Sequence, residues 1–414
     1  MDQAPGEASP LALRQRVPGP GLCFGLGLLL TLSLGATLGA ITLLQADWHV
    51  GLESGATILI HAHSQIFGFV FLFVTGMVGH AMPRLSRRPL RWPWLLWVGA
   101  AAAVAGQLCF PIGAWFAVPT CVRLAEGLDL IAAAALAAAI FDATRHTPPE
   151  LGPWLRLGAL SLVVVAGWGC WGAMDLRLVM QRPAVWLLAL WGFIAPLILG
   201  MSFPLLRMAG GFDVRPRAGG LLAGLWGLAV AVVVLTRARI LPESAAPLGL
   251  GLQFLVALIV GAELGLFRPL RRVRSGAPFF ASAYVWLFAS LALSFFSALG
   301  LLPGGDLTLD VARHAFTIGC VTQMIIGVAL RALPAVRGVA LAFPPLAIAA
   351  YVLINGAVIG RLGRLLASQS PLWFWVSGPS GFFAVAALTC FGVSLVATVR
   401  RAFATSRLPL GTES

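Results

Sequence analysis

Twelve apolar runs divide the chain, near 21–45, 55–82, 92–114, 120–143, 154–176, 183–206, 219–237, 246–267, 279–300, 308–333, 339–361 and 373–400. A bilayer core is spanned by about 20 apolar residues of helix, so each run predicts a membrane-crossing helix. The polar connections are short, which predicts antiparallel neighbours in one all-α bundle. The expected organisation is a tail over 1–20, a single transmembrane domain over 21–400 and a second tail over 401–414. The first run is too long for the apolar core of a cleavable signal peptide, and no small-residue cleavage site follows it.

Composition agrees with this pattern. Of 414 residues, 59% are hydrophobic and 10% charged, where a soluble domain carries about 25% charged residues. A net charge of +13 suggests nucleic acid at first sight. Its distribution argues against that: all 28 basic residues are arginine, concentrated in the short connections. Twenty of the 28 fall on the side that carries both chain ends. The positive-inside rule then predicts cytoplasmic termini. With that orientation the second and tenth runs both begin on the outer side. The six cysteines form no CxxC pair and read as small apolar core residues.

Polar residues inside the runs carry the candidate chemistry. The stretch HAHSQIFGF, residues 61–69, puts His61 and His63 in the outer half of the second run. His314 stands near the outer start of the tenth. From His63 the chain has glycine at +5 and +13 and proline at +20; from His314 the same three positions hold glycine, glycine and proline. A third copy surrounds WGFIAPLILGM, with Leu187 at the histidine position. The second, sixth and tenth helices are therefore expected to be equivalents in a pseudo-threefold bundle.

A neutral imidazole suits haem iron, copper or zinc, and an ionisable residue inside a membrane is a functional candidate by default. At 100° per residue His61 and His63 point to opposite faces of one helix. That suits one axial ligand per site. His63 and His314, matched in register, are the expected pair for a haem between the second and tenth helices. His61 would serve a second haem, a metal or a hydrogen bond. The repeat glycines would admit a flat macrocycle or a neighbouring helix. Arg361 and Arg364 leave the eleventh run on the outer side and are candidates for the haem propionates. His49, in the connection before the second run, is a candidate further metal ligand. Glu126 and Asp129, near Arg123, form either an ion pair or a proton path. His80 reads as interfacial, His146 as a solvated loop residue and Glu263 as a snorkelling one. Phosphate-binding, dinucleotide, GxSxG and HExxH motifs are absent.

HAHSQIFGF followed by GMVGHAMPRL, and RHAFTIGCVTQMIIGVALRALP near the end, resemble the two histidine segments of the NnrS family of haem-containing bacterial membrane proteins. Ser64-Gln65 stands where many members have Glu-Met. The resemblance implies a haem or haem-and-copper protein of the bacterial inner membrane, linked to nitric oxide response, resistance or denitrification. His61, His63 and His314 are the candidate ligands. The layout is also similar to the catalytic subunits of haem-copper oxidases and nitric oxide reductases, with their twelve helices, histidines on the second and tenth, and an arginine pair after the eleventh. Those enzymes need further histidines on the sixth and seventh helices. Here the sixth has Leu187 and Trp191 and the seventh has none. A dinuclear centre of that design cannot form, so oxygen reduction and two-electron nitric oxide reduction by that route are not expected.

The expected function is haem binding with nitric oxide, or another diatomic, as ligand. One alternative is a redox protein that takes electrons from a donor. Another is a cofactor-free transporter with helices broken at Pro111, Pro196 or Pro204. Membrane lipids are the expected surroundings in every case.

Overall fold

A computed structural model of the chain describes residues 19–48, 55–173, 183–209, 212–268, 276–302, 305–366 and 372–405. Among these, every regular element is helical. Twelve helices are long and apolar enough to cross a membrane. The first four are α1 (Gly21–Trp48), α2 (Gly55–Ser86), α3 (Trp94–Trp115) and α4 (Pro119–Thr144). The next four are α5 (Gly152–Gly172), α6 (Ala184–Ala209), α7 (Gly219–Arg237) and α8 (Glu243–Glu263). The last four are α9 (Ala277–Ala298), α10 (Gly305–Ala332), α11 (Pro344–Leu366) and α12 (Trp375–Ala404). The chain is thus the all-α, multi-pass membrane bundle its hydropathy predicts.

Local sequence sets the helix ends. Proline opens α4, α5 and α11 within their first two positions, where a missing N–H is no loss. The helix that contains α10 stops at Gly338, whose φ of 65° is left-handed and suits glycine. α3 runs unbroken through Pro111, and α6 through Pro196 and Pro204. The half-helix ends that a transporter of broken helices would show are not formed there.

Three helices form the inside. Of the apolar windows of α2, α6 and α10, 78%, 67% and 78% are buried in protein, against 39–56% for the other nine. The nine form three arcs around them. Within the arcs α3 packs on α4 and α4 on α5, α7 on α8 and α8 on α9, and α11 on α12 and α12 on α1. Between arcs α5 meets α7. The expected equivalence of the second, sixth and tenth helices is borne out by this arrangement.

Backbone detail repeats as well. In each inner helix the turns after the histidine position widen to i→i+5 hydrogen bonding, over Ser64–Val70, Leu188–Ile194 and Ala315–Thr322. Each widened stretch starts one residue after His63, Leu187 or His314. Such π turns are rare and often mark functional sites. α1 carries another, over Thr31–Gly35.

Candidate functional site

His61 and His63 go to different compartments of the bundle, as their spacing requires. His63 faces α3 and α4. Its Nε2 lies 2.6 Å from Asp129 Oδ2, and Gln107 Nε2 donates to its Nδ1 over 2.9 Å. The ring stacks on Phe110 at 3.8 Å between centroids, with the planes 3° apart. His63, Gln107 and Asp129 are all buried. With Nδ1 accepting, the proton sits on Nε2 and is donated to the carboxylate. Both ring nitrogens are therefore occupied by protein.

His61 faces the other way, toward α1. Its Nδ1 lies 2.8 Å from the Gly35 carbonyl, at the end of the α1 π turn. Gly39 makes room for the ring: a Cβ there would lie 2.5 Å from His61 Cε1. On α10, His314 repeats this anchoring. Its Nδ1 lies 2.8 Å from the carbonyl of Asp310, one turn back. Each imidazole thus gives Nδ1–H to a backbone carbonyl, which leaves Nε2 as the free lone pair. A metal-binding histidine needs this orientation, with the second nitrogen held by the protein. His61 is also within electrostatic reach of His314, Arg361 and Asp310. Both imidazoles are half-buried, unlike His63.

α11 and α12 complete this compartment. Arg361 Nη2 pairs with Asp310 Oδ2. Arg364 Nε lies 2.9 Å from Asp47 Oδ1 on α1, and Ser377 Oγ on α12 donates to Asp47 Oδ2 over 2.5 Å. Arg361 is only 6% exposed, yet its Nε and Nη1 have no hydrogen-bond acceptor among the described residues. A buried guanidinium with two orphaned nitrogens calls for an anionic partner.

The structure therefore brings together His61, His314, Arg361 and Arg364, and sets His63 apart. The expected pairing of His63 with His314 does not match this geometry, because His63 turns its ring away and both its nitrogens are bonded. His49 lies outside the described residues. Gly68 and Gly319 admit side chains of neighbouring helices, Gln107 and Trp286, rather than open space. Asp129 pairs with His63 instead of Arg123, whose Nε donates to the Ala173 carbonyl. Glu263 accepts from the Arg217 backbone N–H over 3.2 Å, so it fastens the α6–α7 connection to α8. His80 and His146 are contacted by Arg84 and Arg88 at 3.0 and 3.3 Å, on the side of the chain ends. Asp47, Asp310, Gln107 and Gly35 escaped the sequence reading. For Asp47, Asp310 and Gln107 the available signal is a lone polar residue in or beside an apolar run, and Asp310 also lies one turn before His314.

The donor set would fit a metal-bearing group that also carries a carboxylate. Two open imidazole nitrogens approach from α2 and α10, and an unsatisfied guanidinium waits for a carboxylate. A bare ion is a poorer fit, since among the described residues no three His, Cys, Asp or Glu side chains converge. A search of curated proteins returns no match. The model of the family described as NnrS protein matches residues 22–402, nearly the whole chain, and the chain belongs to the NnrS family.

Proposed function

We propose that this protein binds haem in the compartment enclosed by α1, α2, α10, α11 and α12, and that it acts on nitric oxide as the NnrS resemblance implies. His61 and His314 would hold the iron, and Arg361 with Arg364 would hold the propionates. Haem would supply a redox-active iron, at which a diatomic ligand would take the place of one of the two imidazoles. The observation that carries this reading is the shared orientation of the two histidines, each anchored at Nδ1 and open at Nε2. The protein's own part is positional. Gly35 and Asp310 fix the two rings, and Asp47 and Asp310 hold the arginine pair in place. Asp310 also balances the buried positive charge until a propionate arrives. The proposed location is the bacterial inner membrane with both termini cytoplasmic, which the arginine asymmetry supports.

Two open imidazoles, rather than one, favour a second reading: an electron-transfer protein in which both imidazoles would hold the group at once and an external donor would supply the electron. Absorption spectra of the purified protein separate the cases. A haem Soret band should appear in wild type and in His63→Ala, and should be lost in His61→Ala and in His314→Ala. A full band in either of the last two would sink the site assignment. A band shift with nitric oxide supports nitric oxide handling, and its absence supports electron transfer.

A further inference from the structure

On the bundle axis, further toward the side of the chain ends, α2, α6 and α10, with Leu155 of α5, line a partly open apolar cavity of about 90 Å³. Its wall follows the threefold register. Counted from His63, positions +7, +10, +11 and +14 line it: Val70, Phe73, Val74 and Met77. The same four offsets from Leu187 and from His314 also line it. Four layers of three equivalent side chains thus line one cavity. At 1.5 Å per residue it begins roughly 10 Å along the axis from the histidines. Between the two levels Trp191 and Phe316 stack at 4.4 Å.

Every lining side chain is apolar. A water molecule needs two to four polar partners, and apolar cavities of comparable size stay dry yet accept xenon. A lipid or quinone headgroup would leave its polar atoms unpaired here. The remaining guests are uncharged molecules that make no hydrogen bond of consequence. Methionine in the wall, Met77, Met201 and Met324 among it, adapts to a small mobile guest.

We propose that this axial cavity is a binding site for neutral apolar diatomic molecules, a reservoir one aromatic layer away from the histidine compartment. That nitric oxide is the guest rests on the functional reading above; that the cavity takes apolar gas does not. Xenon is the probe. In the purified full-length protein under xenon pressure, xenon should occupy the cavity, seen as density or as a ¹²⁹Xe shift. It should bind equally well in His61→Ala, which is expected to lack haem. Val74→Phe fills the void and should weaken xenon binding about tenfold or more while the Soret band persists. Val74→Leu is the milder filling variant, should the larger ring prevent folding. Failure of wild type to bind xenon, binding unaffected by both fillings, or an acyl chain found in the cavity would each overturn the proposal. Xenon binding in a protein that carries no haem would leave this site standing and remove the haem reading.

Discussion

At the scale of single residues, what separates His61 from His63 is where their hydrogen bonds go. A carbonyl at Nδ1 leaves Nε2 free, whereas Gln107 and Asp129 together leave His63 nothing to offer. His63 is then a structural residue of the α2–α3–α4 contact. Replacing it with alanine would strand a buried carboxylate, at a cost of about 3 kcal/mol or more. Thermal unfolding in detergent should show His63→Ala clearly destabilised, and Asp129→Asn, which keeps an acceptor, affected less. Equal effects would argue that the Asp129 charge contributes nothing. The four residues of the site, His61, His314, Arg361 and Arg364, and the structural His63 are all legible as polar exceptions in apolar runs. Their partners are not, because a carbonyl such as Gly35 has no side chain to flag it. The geometry departs from the pairing that register predicts, for a physical reason. Positions in the same register of a threefold repeat point into successive compartments, never toward each other. His314 therefore meets the residue two before its equivalent, which is His61.

At the scale of helices, close approach does the positioning. α1 can set its carbonyl against His61 only because Gly39 has no Cβ. Gly39→Ala should push the ring off Gly35, lowering haem content several-fold and melting temperature with it. Gly127→Ala, whose Cβ would meet nothing within 4 Å, should change neither. Should both variants behave alike, the α1 contact does not hold the ring. The three π turns belong to this scale too. Apolar spacing predicted twelve helices and their order, because burial in lipid demands long apolar runs whatever their internal geometry. It carries no mark of a turn one residue wider, so the π turns were invisible until the backbone was seen. Their placement after each histidine position shows the wide turn to be a property of the repeat, present in α6 without any imidazole.

At the scale of the whole molecule, charge and topology act together. A fluorescent protein fused at the C-terminus should fluoresce, and alkaline phosphatase fused there should be inactive, if both ends are cytoplasmic. The reverse pattern would turn the bundle over and with it the expected side of the haem. On the same face the α6–α7 connection is clamped to the end of α8. The Arg215 N–H donates to the Glu263 carbonyl, and Asp213 pairs with Arg215 at 2.8 Å and with Arg268. The hydrogen bond from Arg215, then the charges of Arg215 and Arg268, hold the Asp213 carboxyl below its ordinary range. A lowered folded-state value stabilises the fold above the unfolded one, about 3.9, and the benefit fades as pH falls through the folded value. The melting-temperature gap between wild type and Asp213→Asn should therefore hold near neutrality and close in acid. A gap independent of pH would show that the pair does not clamp. Finally, the rotation that joins His314 to His61 also locates the corresponding pair in the next compartment, at Leu187 and Ala312. A designer seeking a two-centre electron wire in this scaffold would start from those two positions, since the backbone at both is already shaped like the one that presents the native imidazoles.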